Sequence, residues 1–330
     1  MNNFHKQFTG KKVLISGGLG FIGSNLAKRL VALNADVSIV DNMIPEYGGN
    51  KFNIHAIEDK VVVDVSDIRD EHAVRRLITG KDYLFNLAGQ TSHMDSMKDP
   101  FTDLEINCRA QLSVLEVCRE ENPGLKIVFA STRQVYGKPD YLPVDEKHLL
   151  RPVDVNGINK MAGEWYHILY NNVYGVKTCA LRLTNTYGPG MRIKDARQTF
   201  LGVWIKQLIE GQPFEVWDGK QLRDFTYVDD VVEALLMAAS DENADGKIYN
   251  LGGECVISLG DLAKLLVTVN NGGEYSICEF PANRKIIDIG DYYADYTLIS
   301  RDLGWKPETD LKDGLKKTID YYSQYLEKYL

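Results

Sequence analysis

Short β-branched, apolar runs at 13–16, 36–40, 60–63, 83–86, 126–130 and 178–182 alternate with longer segments whose apolar residues recur at helical spacing. The helical segments begin near Gly20, Glu71, Phe101 and Gly157. Runs such as 61–63 and 127–129 are apolar on both sides of the strand, the pattern of strands buried on both faces. The order strand, helix, strand, helix predicts an α/β fold with a doubly wound parallel sheet. Beyond residue 182 the alternation loosens into glycine, proline and polar clusters at 185–190, 211–219, 252–254 and 270–274. The expected division is a nucleotide-binding domain over 1–182, completed by segments returning from the C-terminal half, and a smaller, mostly helical substrate-binding lobe over 183–330. Tyr321, Tyr322, Tyr325 and Tyr329 fall at helical spacing and predict a terminal helix docking an aromatic stripe on the body.

Composition narrows the function. With 330 residues, 44% of them hydrophobic, the chain can bury a large core. Its net charge of −8 argues against nucleic acid as partner, so any phosphate must be met by a few local donors. The five cysteines form no C-x-x-C pair, which suggests neither a metal site nor a disulfide framework and places the chain in a reducing compartment. No stretch approaches the roughly 18 apolar residues of a membrane span, and the expected location is the cytoplasm.

The segment 13–24 is a strand, a glycine-rich turn and a helix start, with Gly17, Gly20 and Gly23 in G-x-x-G-x-x-G spacing. Glycine allows the tight turn and a close approach to pyrophosphate, while the helix N-terminus at Phe21 and Ile22 supplies amide donors and a partial positive charge. The second strand ends in Asp41 and Asn42, placing a carboxylate where a ribose 2′-hydroxyl binds and where a 2′-phosphate is repelled. The turn, the helix and the acid together predict a Rossmann-type domain that takes NAD rather than NADP. Asp64 and Val65, at the end of the third strand, are candidates for the adenine edge.

Four further segments occur in order: Asn86-Leu87-Ala88-Gly89-Gln90, Ser131-Thr132-Arg133-Gln134-Val135-Tyr136-Gly137, Asn185-Thr186-Tyr187-Gly188-Pro189 and Arg223-Asp224-Phe225-Thr226-Tyr227-Val228-Asp229-Asp230. Together they resemble the nucleotide-sugar epimerase/dehydratase branch of the extended short-chain dehydrogenases, over about Lys11 to Tyr322. The resemblance implies that Thr132 bonds the sugar hydroxyl to be oxidised and that Ala88, Gly89 and Gln90 border the cofactor and the sugar. It sets Asn185 and Arg223 by the diphosphate of a nucleotide-diphosphate sugar, with Ser92 and Arg284 as further substrate contacts.

One position departs from the pattern. The family's Y-x-x-x-K motif puts a tyrosine one helical turn before a lysine; Lys160 is present, but the tyrosine position is Asn156. An amide has no useful proton-accepting pKa, so Asn156 can orient a hydroxyl but cannot be the base. His93 in the loop after Gln90, Lys160 with a depressed pKa, and Tyr136 or Tyr166 swinging in are the alternatives. The family's dehydratases have an Asp-Glu pair after the threonine where this chain has Arg133 and Gln134, which disfavours elimination and leaves epimerisation through a transient keto sugar, or simple oxidation. Arg133 could stabilise an enolate or bind a carboxylate of the substrate. The Ala88-to-Asn107 spacing with Gly89-Gln90 is also similar to CDP-tyvelose epimerases, keeping C2 inversion open. A non-catalytic protein that retains NAD and sugar sites is the competing reading. Helices near 104–118 and 157–174 are apolar on more than one face and predict a homodimer.

Overall fold

The structure, a computed structural model, describes residues 3–330 except 48, 198, 282–284 and 286. Its centre is a seven-stranded parallel sheet. The strands are β1 (Lys12–Ser16), β2 (Asp36–Val40), β3 (Val61–Asp64), β4 (Tyr83–Asn86), β5 (Lys126–Thr132), β6 (Thr178–Leu183) and β10 (Ile248–Asn250), in the order β10-β6-β5-β4-β1-β2-β3. All six predicted strands are present within one or two residues. The seventh comes from the C-terminal half, Ile248 pairing with Ala180.

Helices cover both faces, as continuous apolar strands require. On one face Leu26, Ala27 and Leu30 of the helix Phe21–Ala32 pack with Val231, Leu235 and Ala238 of the helix Val228–Ser240 against Val13, Ile15 and Phe85. On the other, Val74 and Ile78, Val114 and Leu115, and Tyr170 enclose Leu14, Leu84 and Ile127. Side-chain caps mark the helix starts: Asp70 accepts from His72 and Ala73, and Asp154 accepts from Gly157 at the head of Val155–Tyr174. That helix stops at Gly175, which takes the left-handed conformation at φ 71°.

The segment expected as one helix near Phe101 is a succession of pieces. A short helix His93–Lys98 ends where Asp99 caps Pro100–Leu104; a π turn Glu105–Arg109 follows, then Ala110–Glu121. Pro100, lacking an amide proton, starts a helix readily and cannot continue one.

The second lobe gathers β7 (Asn185–Tyr187), β9 (Leu222–Tyr227) and β11 (Val256–Ser258) in one small sheet, with β8 (Phe214–Trp217) and β12 (Tyr275–Cys278) in another. The helices Phe200–Ile209, Leu259–Val269 and Leu311–Tyr325 close on them around Leu201, Ile205, Leu262, Leu315 and Tyr322. The terminal tyrosines dock as an aromatic stripe: Tyr322 donates to Met191 O at 2.6 Å, and Tyr329 to Asn53 Oδ1 at 2.6 Å. No described helix is long and apolar enough to cross a membrane.

Candidate active site

The carboxyl ends of β1, β2, β4 and β5 open into a cavity of about 280 Å³ lined by Gly17, Gly20, Phe21, Ile22, Gly23, Asp41 and Asn42 on one side and by Ala88, Gly89, Thr132, Asn156 and Lys160 on the other. Gly17 turns the chain at φ 71°, and a Cβ there would meet Ala88 N at 2.9 Å. At Gly23 a Cβ would stand 2.4 Å from Gly17 O. The helix Phe21–Ala32 has no side-chain cap, so its first amides face the cavity's glycine turn without an internal side-chain acceptor. Asp41 braces the turn: Oδ2 accepts from Leu19 N at 3.0 Å and Oδ1 from Met43 N at 2.8 Å. Burial raises its carboxyl, and these two amides only partly offset the rise. Beneath the floor Ser16 Oγ donates to Asn86 Oδ1 at 2.9 Å and accepts from Leu87 and Ala88 amides, tying the ends of β1 and β4 together. The cradle fits a dinucleotide: amides at a helix start for the pyrophosphate and a carboxylate at the end of β2 for a ribose.

Asp64 and Val65 do not line the cavity. β3 runs one residue further than expected, Asp64 is held by Ser66 and by Arg76 at 2.7 Å, and Val65 faces solvent. Ser66, Asp67 and Ile68 line it instead, with Asp67 accepting from Asn42 Nδ2 at 2.8 Å. The Arg69 guanidinium holds the Asp67 carboxyl down to about 2.

Thr132 lies at the end of β5, its Oγ1 accepting from Gln134 N at 3.3 Å. Lys160 Nζ donates to Ala130 O at 3.0 Å and lies 4.9 Å from the Phe129 ring centre. Burial pushes its ammonium down to about 8, against a smaller upward pull from Asp103. The Asn156 amide is engaged by Gln90 and Asp103: Nδ2 donates to Gln90 O at 2.8 Å and to Asp103 Oδ2 at 3.0 Å, while Asn159 donates to the other Asp103 oxygen at 2.8 Å. Gln90 is itself buried and outside the cavity; its carbonyl also receives Asn107 from the π turn at 2.9 Å. π turns recur at functional sites because they redirect a side chain by a fraction of a helical turn.

His93 lines the same cavity, and its Nδ1 lies 3.0 Å from Asp154 Oδ2. Asp154 is fully enclosed; burial pushes its carboxyl up, but His93, Gly157 N and Gln134 together outweigh burial and hold it low. Gln134 Nε2 lies 3.2 Å from the same ring nitrogen and 3.3 Å from Asp154 Oδ2; with that amide proton directed to the carboxylate, Asp154 favours the tautomer protonated on Nδ1 and leaves Nε2, which has no hydrogen bond among the described residues, as an acceptor. No local pattern in the sequence marks Asp154 as the partner of a residue 61 positions away, and its one local role in the structure is the cap on Gly157 N. Ser92 caps the helix that carries His93, accepting from Asp95 N at 3.2 Å. Tyr136 and Tyr166 do not reach the cavity. Tyr136 donates to Asn250 Oδ1 at 2.7 Å and receives Arg182, and burial pushes its phenol up to about 12.

A second cavity of about 520 Å³ adjoins the first and reaches into the C-terminal lobe, lined among others by Ser92, Arg197, Trp204, Trp217 and Arg223. His93, Arg133, Gln134, Asn185 and Thr199 line both. Arg223 is 6% exposed, donates to Leu222 O and Gly290 O, and approaches Asp288 at 3.6 Å. Burial first, then Arg133, pushes its guanidinium down to about 10. Arg284 lies outside the described residues.

The chain is similar over residues 13–252 to the NAD dependent epimerase/dehydratase family. It is 35% identical over 314 residues to a putative UDP-glucose 4-epimerase of Methanocaldococcus jannaschii, spanning 94% of this chain and 97% of that one. It is 30% identical over 343 residues to the CDP-paratose 2-epimerase of Salmonella typhi, spanning 94% and 99%. Among solved structures, the UDP-glucose 4-epimerase of Thermotoga maritima with UDP-glucose superposes with a TM-score of 0.86 at 29% identity, covering 96% of this chain and 99% of that one. The parallel sheet, the glycine cradle and these likenesses lead to one assignment: the chain belongs to the NAD dependent epimerase/dehydratase family, and NAD is its cofactor.

Proposed function

We infer that the protein is an epimerase of nucleotide-diphosphate sugars that works through a transient keto sugar, with His93 in the place of the missing tyrosine base. NAD, when bound, supplies a hydride acceptor that can return the hydride to either face of the sugar. The turn Gly17–Gly20–Gly23 with Phe21 and Ile22 holds its pyrophosphate, Asp41 and Asn42 its adenosine ribose, and Ala88, Gly89 and Lys160 its far end. Thr132 orients the hydroxyl to be oxidised. His93 Nε2 accepts the hydroxyl proton as the carbonyl forms and returns it on reduction, while Asp154 holds the ring and stabilises the imidazolium. Asn156 braces the loop at Gln90. Asn185 and Arg223 take the diphosphate, a charge-assisted contact that an acidic protein needs at a fixed point.

The observation that carries the reading is the His93–Asp154 pair at 3.0 Å in the wall shared by both cavities. The test is incubation with UDP-, CDP-, GDP- and dTDP-sugars, following bound NADH absorbance and product stereochemistry. Transient reduction with inverted product is expected. Binding without reduction or turnover across the panel would leave a non-catalytic protein. In an active enzyme His93→Asn should lose about 10²–10⁴ in kcat. An unchanged rate there, with loss in Lys160→Met, would transfer the proton to Lys160, whose pKa of about 8 suits it for that role.

A further inference from the structure

The wall between the two cavities is nearly closed on itself. Gln134 Nε2 donates to Asp154 at 3.3 Å, Asn185 Nδ2 donates to Asp224 O at 2.9 Å, and Thr199 caps the next helix through Leu201 N at 3.2 Å. Arg133 is the cation left incompletely paired. Its Nη2 donates to Asn185 Oδ1 at 3.0 Å, and its guanidinium lies 5.3 Å from the centre of the Tyr292 ring. Its Nη1 is enclosed and has no acceptor among the described residues, and no described carboxylate comes within ion-pair distance of it. Asp224 lies nearby but outside ion-pair distance: burial pushes its carboxyl up to about 6, its Oδ2 accepts from Gly253 and Ala294 amides, and its Oδ1 has no partner among the described residues. A guanidinium with an enclosed N–H that has no acceptor, and with nearby carboxylates all beyond ion-pair contact, is costly unless the ligand supplies the missing acceptor.

Position says which part of the ligand that is. Arg133 follows Thr132 directly, at the start of the turn Arg133–Tyr136, and lines both cavities; Arg223 lines only the second. A ligand with its reacting hydroxyl at Thr132 and its diphosphate at Arg223 must carry its sugar ring past Arg133. The geometry points to Arg133 as a specificity residue that receives a carboxylate on the sugar ring, so that the substrate class is a nucleotide-linked sugar acid. A guanidinium fork matches a carboxylate in two parallel hydrogen bonds, and Gln134 Oε1, also enclosed and unpartnered, is an acceptor beside it for a ring hydroxyl.

The inference rests on the nucleotide-sugar reading above, and its failure is separable from that one. Binding to the NAD-loaded protein is measured by calorimetry for three matched pairs: UDP-glucose and UDP-glucuronate, dTDP-glucose and dTDP-glucuronate, GDP-mannose and GDP-mannuronate, with the free nucleoside diphosphates as controls. For the preferred nucleotide the sugar acid should bind about tenfold or more tightly than its neutral partner. Arg133→Gln should erase that preference while the free diphosphate still binds, weakened by far less than the sugar acid, which also reports that the variant is folded. If Arg133→Gln is not folded, Arg133→Lys serves, with a reduced preference expected. Equal affinity within every pair would overturn the inference. So would an Arg133 variant that weakens the free diphosphate as much as the sugar acid, since the arginine would then grip the phosphates. Absence of binding by every nucleotide sugar would overturn the underlying reading instead.

Discussion

At the scale of single residues, the site turns on two polar side chains whose surroundings change what they can do. Asp154 is a helix cap that also orients a ring, and the two roles can be separated. Asn at 154 still caps Gly157, because Asn and Asp are about equally good caps, but it no longer fixes the Nδ1 proton of His93. Asp154→Asn should leave thermal stability and substrate KM nearly unchanged and lower kcat by about 10²-fold or more. A fall in Tm with kcat intact would reduce Asp154 to its capping role. Lys160 offers a pH test that does not depend on turnover. Its folded-state pKa, about 8, lies below its ordinary value of 10.5, because burial penalises the ammonium. At neutral pH both folded and unfolded chains hold the proton, and the folded one carries the burial cost. Between pH 8 and 10.5 the folded chain releases its proton first, the unfolded chain binds more protons, and stability rises with pH. Against Lys160→Met, the parent apoprotein should therefore gain up to about 3 kcal/mol across that window in urea titrations. A difference that stays flat with pH would mean that the ammonium is hydrated.

At the scale of elements, the glycine turn gives the sharpest ranking. A Cβ at Gly23 would press on Gly17 O at 2.4 Å and Gly18 Cα at 2.8 Å, both backbone, whereas at Gly20 the nearest atom is Gly17 O at 3.2 Å. Gly23→Ala should cost about 1–3 kcal/mol and most of the NAD affinity, and Gly20→Ala distinctly less, read by Tm and by NAD titration. Equal effects would show that the turn yields rather than clashes. The same turn was legible in the sequence because its requirements are local: strand, glycines, helix and acid lie within 30 residues. The parallel strands were legible for a like reason, since burial on both faces leaves consecutive apolar residues. What lay beyond the sequence is set by distance or by a residue or two of boundary. Ending β3 one residue late moves the cavity lining from Asp64 and Val65 to Ser66, Asp67 and Ile68. The pairing of His93 with Asp154 joins residues 61 apart through two helix starts, and no local pattern announces it. The π turn that sends Asn107 to Gln90 O is equally silent, because its residues are ordinary helix formers.

At the scale of the whole molecule, one outer face is out of keeping with a water-facing surface. On the helix Val155–Tyr174, Ile158, Trp165, Leu169 and Val173 recur at seven- and four-residue spacing, and each is about half exposed or more. Beside it the short helix Pro100–Leu104 presents Phe101, 75% exposed, and Leu104, 40% exposed. The inner side of the long helix faces the sheet and carries the buried Lys160, so this outer stripe stays uncovered by the described residues. Apolar residues gathered in one strip, rather than scattered, are what a subunit contact looks like before it is covered. A two-fold axis beside the strip would bring each long helix against its copy, each residue meeting a symmetry-related patch. The chain should therefore run as a dimer at micromolar concentration in size-exclusion chromatography with light scattering. Trp165→Glu should give a monomer, because two carboxylates would then be buried near the axis with no counter-charge. Because Lys160 sits on the buried side of the same helix, the monomer should also hold NAD less tightly than the dimer. A parent that elutes only as monomer, or a Trp165→Glu variant that remains dimeric, would rule out this face as the contact.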